Sequence, residues 1–408
     1  MRRMHYAWWV CVGCALLLFC TAGLAINVFT IYQPFILREN GFTNAQASLL
    51  ITVRSLASFF ASMLVERFYR TFSLRAGMAL AGLTSALGYV VYGATRSYAG
   101  YCCASALVGV GFGIGSTTPV ALLIERWFVK DRMLAVSACS AVTGLSTFGV
   151  PSLLTAIIQR QGLRTAFLLE GAVIAGLMLL SFALLRDDPG RMGLTRYGEG
   201  EGEAVASRQR AHGSVVLDRR DRRVLAPMTI AAGALTSVGY SHLGVYMHSL
   251  GYPPEAIAVA ITISGLALML GKLLFGALAE RIGNRRTILT FGAVLLAGLL
   301  LCCLAQYGLA VLYAAMAAYG AGLSLTTVGF TACAADWSVA DHFRGTVEQF
   351  QIGYFAGALA FSPVPGLIAD RAGGAYLPTF VLFLACGAYV VLAIALTYRR
   401  KKGQLPGE

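Results

Sequence analysis

The chain has 408 residues, of which 57% are hydrophobic and only 12% are charged. Soluble domains carry about 25% charged residues, so this composition excludes an ordinary soluble protein. The net charge of +13 at pH 7 would suit a nucleic-acid partner. Most basic residues, however, lie in the loops between apolar segments, and this distribution argues against a nucleic-acid partner.

Twelve apolar stretches of about 20 residues follow one another along the chain. A helix needs about this length to cross about 30 Å of hydrocarbon. We therefore predict an all-α polytopic membrane protein in a lipid bilayer. The predicted spans are 8–32, 45–65, 76–94, 99–124, 134–158, 164–185, 224–248, 255–278, 286–304, 308–332, 346–368 and 376–398.

The basic residues indicate the orientation. If the N-terminus is cytoplasmic, the cytoplasmic segments carry 25 of the 32 Lys and Arg residues. Five fall outside and the other two lie within spans. Those outside are Arg38, Arg96, Arg160, Arg164 and Arg371. This bias is the positive-inside pattern, so we expect both termini to be cytoplasmic and the protein to lie in a plasma membrane, as in a bacterial inner membrane.

The long polar stretch between spans six and seven predicts a cytoplasmic linker at 186–223, because its mixed charge leaves little to bury. The linker separates six-span halves at 1–185 and 224–408, and the halves share a weak internal repeat. The matched pairs are Gly41-Phe42 with Gly251-Tyr252, Trp127 with Trp337, and Leu64-x-Glu66-Arg67 with Leu278-x-Glu280-Arg281, at offsets of 210 to 214.

The most specific motif is GALAERIGNRR, from Gly276 to Arg286. It resembles the loop motif between the second and third helices of each half in the major facilitator superfamily, and SMLVERFYR in the first half is a remnant of it. The resemblance implies two six-helix bundles and a gating role for this loop. The gating residues implied are Gly276, Glu280, Arg281, Gly283, Arg285, Arg286, Glu66 and Arg67.

A plain electrostatic interpretation of the motif agrees with gating. Glu280 ends a span and is placed to accept hydrogen bonds at the positive N-terminal end of a neighbouring helix. The arginines that follow it would meet cytoplasmic headgroups. The alternative is static anchoring by positive-inside charge alone.

A second motif narrows the family. The stretch WFVKDRMLAVS, from Trp127 to Ser137, enters the fifth span. It resembles the signature of the monocarboxylate porters and oxalate/formate antiporters, with an aromatic pair, a basic cluster and then Leu-Ala with small residues. That resemblance implies a small organic anion as the substrate.

Arg54 is the more deeply placed of the two cations within spans. At 1.5 Å per residue it lies roughly 13 Å from one end of its span and 18 Å from the other, too far to reach either membrane surface easily. A charge at this depth costs several kcal/mol unless it is paired or wet. We expect it to line a substrate cavity, with a structural ion pair as the alternative.

Lys272 precedes Glu280 by two turns, roughly 12 Å, so its side chain could extend to the membrane surface instead. The family resemblance favours a different role. Monocarboxylate porters carry an arginine four residues before the first glycine of the loop motif, and Lys272 occupies that place. The resemblance implies a carboxylate-binding cation there, while lysine lacks the two-pronged geometry of arginine.

Other polar residues are candidates by span and depth. His242 is the best single candidate for proton coupling, because histidine titrates near neutrality, although an interface histidine is an open alternative. The remaining substrate-contact candidates are Asn27, Tyr32, Tyr240, Gln351 and Tyr354, each of which could instead form a helix–helix hydrogen bond.

These patterns predict a secondary active transporter that moves a small organic anion, a mono- or dicarboxylate, by alternating access coupled to protons or to counter-anion exchange. The alternatives are a multidrug or other small-solute exporter and a non-transporting nutrient sensor. We expect no enzymatic activity, catalytic residue, cofactor or metal, because no helix face carries a suitable constellation. We expect a monomer that does not bind nucleic acid.

Overall fold

The computed structural model describes residues 5–42, 44–148, 150–199, 217–338 and 340–401. Within these ranges its regular structure is helical apart from an isolated bridge between Phe128 and Tyr197. Apolar runs adopt helices because lipid offers no partner for an open peptide group.

The helices follow one another with short connections. In the first half they are α1 (Tyr6–Leu18), α2 (Phe29–Asn40), α3 (Asn44–Met63), α4 (Val65–Thr71), α5 (Leu74–Ala94), α6 (Tyr98–Ile114), α7 (Thr117–Trp127), α8 (Arg132–Leu145), α9 (Val150–Gln161) and α10 (Leu163–Leu184). In the second half they are α11 (Arg219–Gly233), α12 (Leu243–Ser249), α13 (Pro254–Ile282), α14 (Asn284–Cys303), α15 (Leu309–Gly322), α16 (Phe330–Trp337), α17 (Ala340–Phe361), α18 (Val364–Arg371) and α19 (Leu377–Arg400).

Helices occupy all twelve predicted spans. In the described ranges, ten helices are long and apolar enough to cross a membrane, and α3 with α4 adds an eleventh that bends by 58°. The fifth predicted span, 134–158, is one of the interrupted spans, because it is divided between α8 and α9. Pro151 lacks the N–H that would continue an α-helix across this break. The chain is an all-α polytopic membrane protein.

Two compact units account for the packing. Unit 1 comprises Met1–Trp127 and Val142–Thr195, and unit 2 comprises Phe128–Ala141 and Arg196–Glu408. The start of α8 thus belongs with the second half of the chain. The predicted division at 1–185, 186–223 and 224–408 stays a prediction, and linker residues 200–216 lie outside the described ranges.

The internal repeat reappears in the local backbone. The first and seventh spans adopt wide π-helical turns at Phe19–Val28 and Ala234–Val238. The tenth span does so at Leu325–Gly329, and 210 residues earlier the fourth span is interrupted between α6 and α7. Irregular turns of this kind occur often at functional sites. The first, fourth, seventh and tenth spans therefore depart from regular helix at matched positions.

Glycines bring the second and fourth spans into close contact inside unit 1. A Cβ on Gly109 would collide with the Arg54 carbonyl, and one on Gly113 would lie 2.5 Å from the Ser58 carbonyl oxygen. The Ser58 hydroxyl donates to the Gly109 carbonyl at 2.9 Å. The GVGFGIG stretch at 109–115 thus serves helix packing, which fixes the backbone of α3 around Arg54.

Candidate functional site

Arg54 is a buried cation of unit 1. It lies in the middle of α3 with 7% of its surface exposed, and its guanidinium carbon is 5.2 Å from the centre of the Phe29 ring. Its Nη1 is buried without a hydrogen-bond partner. No carboxylate in the described part of the chain forms an ion pair with it. The guanidinium therefore retains capacity to bind an anion.

An aromatic cluster adjoins Arg54. We define it as Phe29, Tyr32, Tyr89, Tyr92 and Phe167. Phe29 and Tyr92 lie 5.3 Å apart between ring centres, Tyr92 stacks on Phe167 at 5.1 Å, and Phe167 stacks on Tyr32 at 4.3 Å. The cluster joins the first, third and sixth spans into a low-dielectric surround.

Glu170 lies at the other side of the aromatic cluster. It is 4% exposed on α10, and its Oε2 accepts a hydrogen bond from the Tyr32 hydroxyl. Its Oε1 is buried without a partner. The sequence favours an interfacial pair with Arg164, six residues earlier, but the hydrogen-bond partner of Glu170 is Tyr32. Unit 1 therefore buries an acid and a base that do not pair with each other.

Lys272 is a buried cation of unit 2 that lies within a predicted span. It is 4% exposed on α13, and its Nζ donates to the Ser140 carbonyl oxygen at 3.1 Å. In this structure the ammonium lies between helices and does not extend toward Glu280. Ser140 belongs to α8, so the lysine ties two helices that are distant in sequence.

Glu280 and Gly276 continue the same helix pair. The Met133 backbone N–H, at the start of α8, donates to Glu280 Oε1 at 3.1 Å. A Cβ on Gly276 would lie 2.5 Å from Ser137 Oγ. Together with the bond from Lys272 to Ser140, these contacts run antiparallel along both helices. We call this row of three pairs the α8–α13 contact.

The rest of the loop motif follows directly. Gly283 has φ of +86°, a conformation that side chains other than glycine's rarely adopt, and it alone separates α13 from α14. Arg281 and Arg286 are exposed. In the first-half remnant, Glu66 pairs with Arg70 at 2.6 Å on α4. An acid at the end of a span thus meets a helix N-terminus at Glu280, as the motif predicts.

The family model of the Major Facilitator Superfamily matches residues 14–253 and 225–408. The chain belongs to the major facilitator superfamily. Its similarity to known members covers nearly its whole length, and its twelve predicted spans, all occupied by helices, have the major facilitator fold.

Three known proteins illustrate that similarity. Monocarboxylate transporter 12 of Mus musculus is 22% identical over 98% of this chain and 88% of its own length. An oxalate:formate antiporter of Oxalobacter formigenes is 27% identical over 49% of this chain and 46% of its own. The crystal structure of the transporter FucP in the outward conformation superposes with a TM-score of 0.65 at 16% identity, covering 95% of this chain and 98% of that one.

The other predicted contacts of this superfamily member divide between the units. In unit 1, Asn27 lies on the wide turns of the first span, and its Nδ2 donates to the Thr143 carbonyl at 3.4 Å. Tyr32 is fully buried within the aromatic cluster, with its hydroxyl committed to Glu170. Arg54 is thus the predicted polar residue of unit 1 with an unused buried donor.

In unit 2, His242 is half-buried and its Nδ1 is 2.8 Å from the Val238 carbonyl oxygen, next to the wide turn of the seventh span. This bond holds the ring against its own helix. Tyr240, Gln351 and Tyr354 are also half-buried. Their roles as substrate or proton contacts stay predictions.

Sequence reasoning identified Arg54, Lys272 and Glu280 from charge within spans and from the loop motif. For Glu170 the sequence favours a pair with Arg164, whereas the structure pairs this residue with Tyr32. The sequence shows a carboxylate within the sixth span and a tyrosine deep in the first span. It does not show that the two residues pair, because that contact depends on tertiary packing.

Proposed function

We propose that this protein is a secondary active transporter that moves a small organic anion, a mono- or dicarboxylate, across the membrane by alternating access. The main support for the proposal comes from Arg54. Its guanidinium is buried, its Nη1 is unused, and it has no acidic partner in the described ranges. An unpaired ion within a span costs several kcal/mol, so it is retained where it has a function.

A carboxylate satisfies the chemistry of this position. Guanidinium offers two parallel N–H donors that match the two oxygens of a carboxylate, and such bonds are about twice as strong as neutral ones. The Phe29 ring covers one side of the guanidinium and excludes water from it. A bound anion would neutralise the buried charge, which a neutral or cationic substrate would not do.

The relatives support the same substrate class. Their names include monocarboxylate and oxalate:formate, which are small carboxylates. The carboxylate group is the chemistry that these substrates share, and it defines the proposed substrate class. An exporter of organic cations would be expected to place an accessible carboxylate at the depth of Arg54.

Lys272 is the second proposed carboxylate contact. In the structure its ammonium is held by the Ser140 carbonyl, and an anion would compete with that bond. Release of Lys272 from Ser140 would weaken the α8–α13 contact. We therefore propose that this contact is a gate, closed in one transport state and opened in another, with Glu280 as its terminal hydrogen-bond acceptor.

Transport is proposed to be coupled to protons or to exchange of a counter-anion. The protein is proposed to act as a monomer in a plasma membrane, such as a bacterial inner membrane, with both termini cytoplasmic in keeping with the positive-inside pattern.

Counterflow into proteoliposomes tests the proposal. Vesicles loaded with unlabelled lactate, pyruvate or oxalate are diluted into the same labelled anion, with protein-free vesicles and an organic cation, tetraphenylphosphonium, as controls. Saturable, protein-dependent counterflow of a carboxylate is the expected result. Saturable transport of the organic cation without any carboxylate would contradict the proposal.

A further inference from the structure

Glu170 is a buried acid for which the proposed substrate contact has no use. It lies on α10, with Oε2 bonded to the Tyr32 hydroxyl and Oε1 without a partner. Phe167, one turn earlier on the same helix, stacks on the Tyr32 ring and fixes its orientation. The side chain is therefore held in place while one of its oxygens is left without a bond.

A carboxylate in such surroundings is costly. An ion removed from water loses several kcal/mol unless a counter-ion or several hydrogen bonds replace the water. Tyr32 supplies one hydrogen bond, and no described cation forms an ion pair with Glu170. A proton on Oε1 removes the charge, so the free oxygen is a position at which the site gains or loses a proton.

Among the described residues around Glu170, no other titratable group is as well placed to bind a proton. Tyr32 of the first span and Tyr89 of the third belong to the aromatic cluster, and the Tyr89 hydroxyl bonds to backbone carbonyls. Cys20 of the first span reaches α10 one turn further on, at the Ile174 carbonyl. Arg160 of α9 and Arg164 of α10 are exposed. Arg54 lies beyond the cluster, over Phe29.

The charges of Glu170 and Arg54 couple proton binding at one residue to anion binding at the other. With both sites empty, unit 1 buries one positive and one negative charge, and the net charge at these two positions is zero. A bound monocarboxylate alone makes the net charge −1, and a proton on Glu170 alone makes it +1. When both are bound the net charge is zero again. A net charge is the costly condition in a low-dielectric surround, so the anion and the proton favour loading together.

We infer that Glu170, oriented by Tyr32, is the proton-binding residue of this transporter and that its proton accompanies the anion bound at Arg54. The inference rests on the proposed function and specifies its coupling ion. The step is a simple protonation, in which H⁺ from the aqueous side adds to the Glu170 carboxylate on loading and leaves it on release, with no other bond made or broken.

Uptake driven by a pH gradient tests this inference. Proteoliposomes containing wild type, Glu170→Gln or the matched control Glu39→Gln receive labelled lactate with the outside acidic, and counterflow is measured in the same preparations without a gradient. Glutamine keeps the shape and remains neutral, so Glu170→Gln is expected to retain counterflow and to lose accumulation driven by the gradient. Glu39 is exposed at the end of α2, and its variant is expected to behave as wild type.

Accumulation that persists in Glu170→Gln at the wild-type level would overturn the inference. Tyr32→Phe provides a second variant in case Glu170→Gln fails to fold. It keeps the aromatic stack but removes the one donor to the carboxylate, so the pH dependence of counterflow is expected to move to higher pH. An unchanged pH dependence in Tyr32→Phe would also contradict the inference.

A measurement without substrate separates this inference from the proposed function. Infrared difference spectra of the purified protein between acidic and alkaline pH are expected to contain a carbonyl band from the protonated Glu170 carboxyl group, in addition to the bands of the other titrating carboxyl groups. This component should be lost in Glu170→Gln and kept in Glu39→Gln. If wild type transports no carboxylate but this band is present, the proposed function fails and Glu170 stands as a proton site. If no band depends on Glu170, the proton site is rejected whatever the protein transports.

Discussion

The ammonium group of Lys272 donates a hydrogen bond to the backbone carbonyl oxygen of Ser140, 3.1 Å away, although the two residues are 132 positions apart in the sequence. The same two helices meet again where Gly276 faces Ser137 and where Glu280 accepts from the Met133 N–H. Lys272 thus belongs to the same helix contact as the proposed gate, so a substrate that binds Lys272 would weaken the hydrogen bonding of the gate.

Lys272→Met tests the role of that cation. Methionine keeps an unbranched apolar side chain but removes the charge, and loss of a charged hydrogen bond costs about 1.5–3 kcal/mol, or about ten- to hundredfold in affinity. We expect the KM for a transported carboxylate to rise by that factor in Lys272→Met and by less in Lys272→Arg. Equal KM values for Lys272→Met and wild type would show that the ammonium contacts only protein.

Gly276→Val is expected to prevent α8 and α13 from closing. A Cβ on Gly276 would lie 2.5 Å from Ser137 Oγ and 3.0 Å from the Leu134 Cα, so the branched side chain has no room. Transport should fall at least about tenfold, and hydrogen–deuterium exchange of residues 132–145 should increase. The matched control is Gly176→Val in α10, where nothing lies within 4 Å of an added Cβ, and it should transport like wild type.

Glu280→Gln should weaken the end of the contact without disturbing its packing. A carboxylate at a helix N-terminus contributes about 0.3–1 kcal/mol, which is about a two- to fivefold change in a two-state population. We expect the Met133 amide to exchange with deuterium faster by about that factor. Exchange at the wild-type rate would show that the charge of Glu280 does not hold α8.

Asp131 has a strained backbone directly before α8. With φ of +58° it is the one non-glycine residue in the described ranges with positive φ. The preceding loop is fixed by the bond from the Val129 N–H to the Tyr197 carbonyl, 2.9 Å long. Asp131→Gly should remove about 1 kcal/mol of strain and raise the thermal unfolding temperature, whereas Asp131→Val should lower it. The reverse order would contradict this interpretation.

The positions of the spans were predictable because apolar runs of bilayer length have few other structures open to them. The break in the fifth span was not predicted, although the span contains Gly144 and Pro151, two residue types that weaken a helix. Composition alone measures how apolar a segment is, and the stretch 134–158 carries no charged residue. Whether the helix is continuous depends on backbone hydrogen bonds that form in the folded chain and cannot be predicted from composition.

The buried cations were predictable for a similar reason, since a charge far from both ends of an apolar span is visible in sequence. The partners were not. Glu170 was expected beside Arg164 because helix neighbours are easy to count, but its partner is Tyr32, 138 residues away. Contacts between distant helices follow from tertiary packing, which also decides that Lys272 meets Ser140.

The most direct test of the central claim is the uptake of a transported carboxylate by Arg54 variants in proteoliposomes. Arg54→Ala is expected to reduce the specificity of uptake, kcat/KM, about ten- to hundredfold, with partial recovery in Arg54→Lys, which keeps the charge but not the paired donors. Arg75→Ala is the control, because Arg75 also covers a phenylalanine ring, Phe182 at 4.0 Å, but lies near the surface. Carboxylate uptake by Arg54→Ala equal to that of wild type and Arg75→Ala would contradict the claim that Arg54 binds the anion.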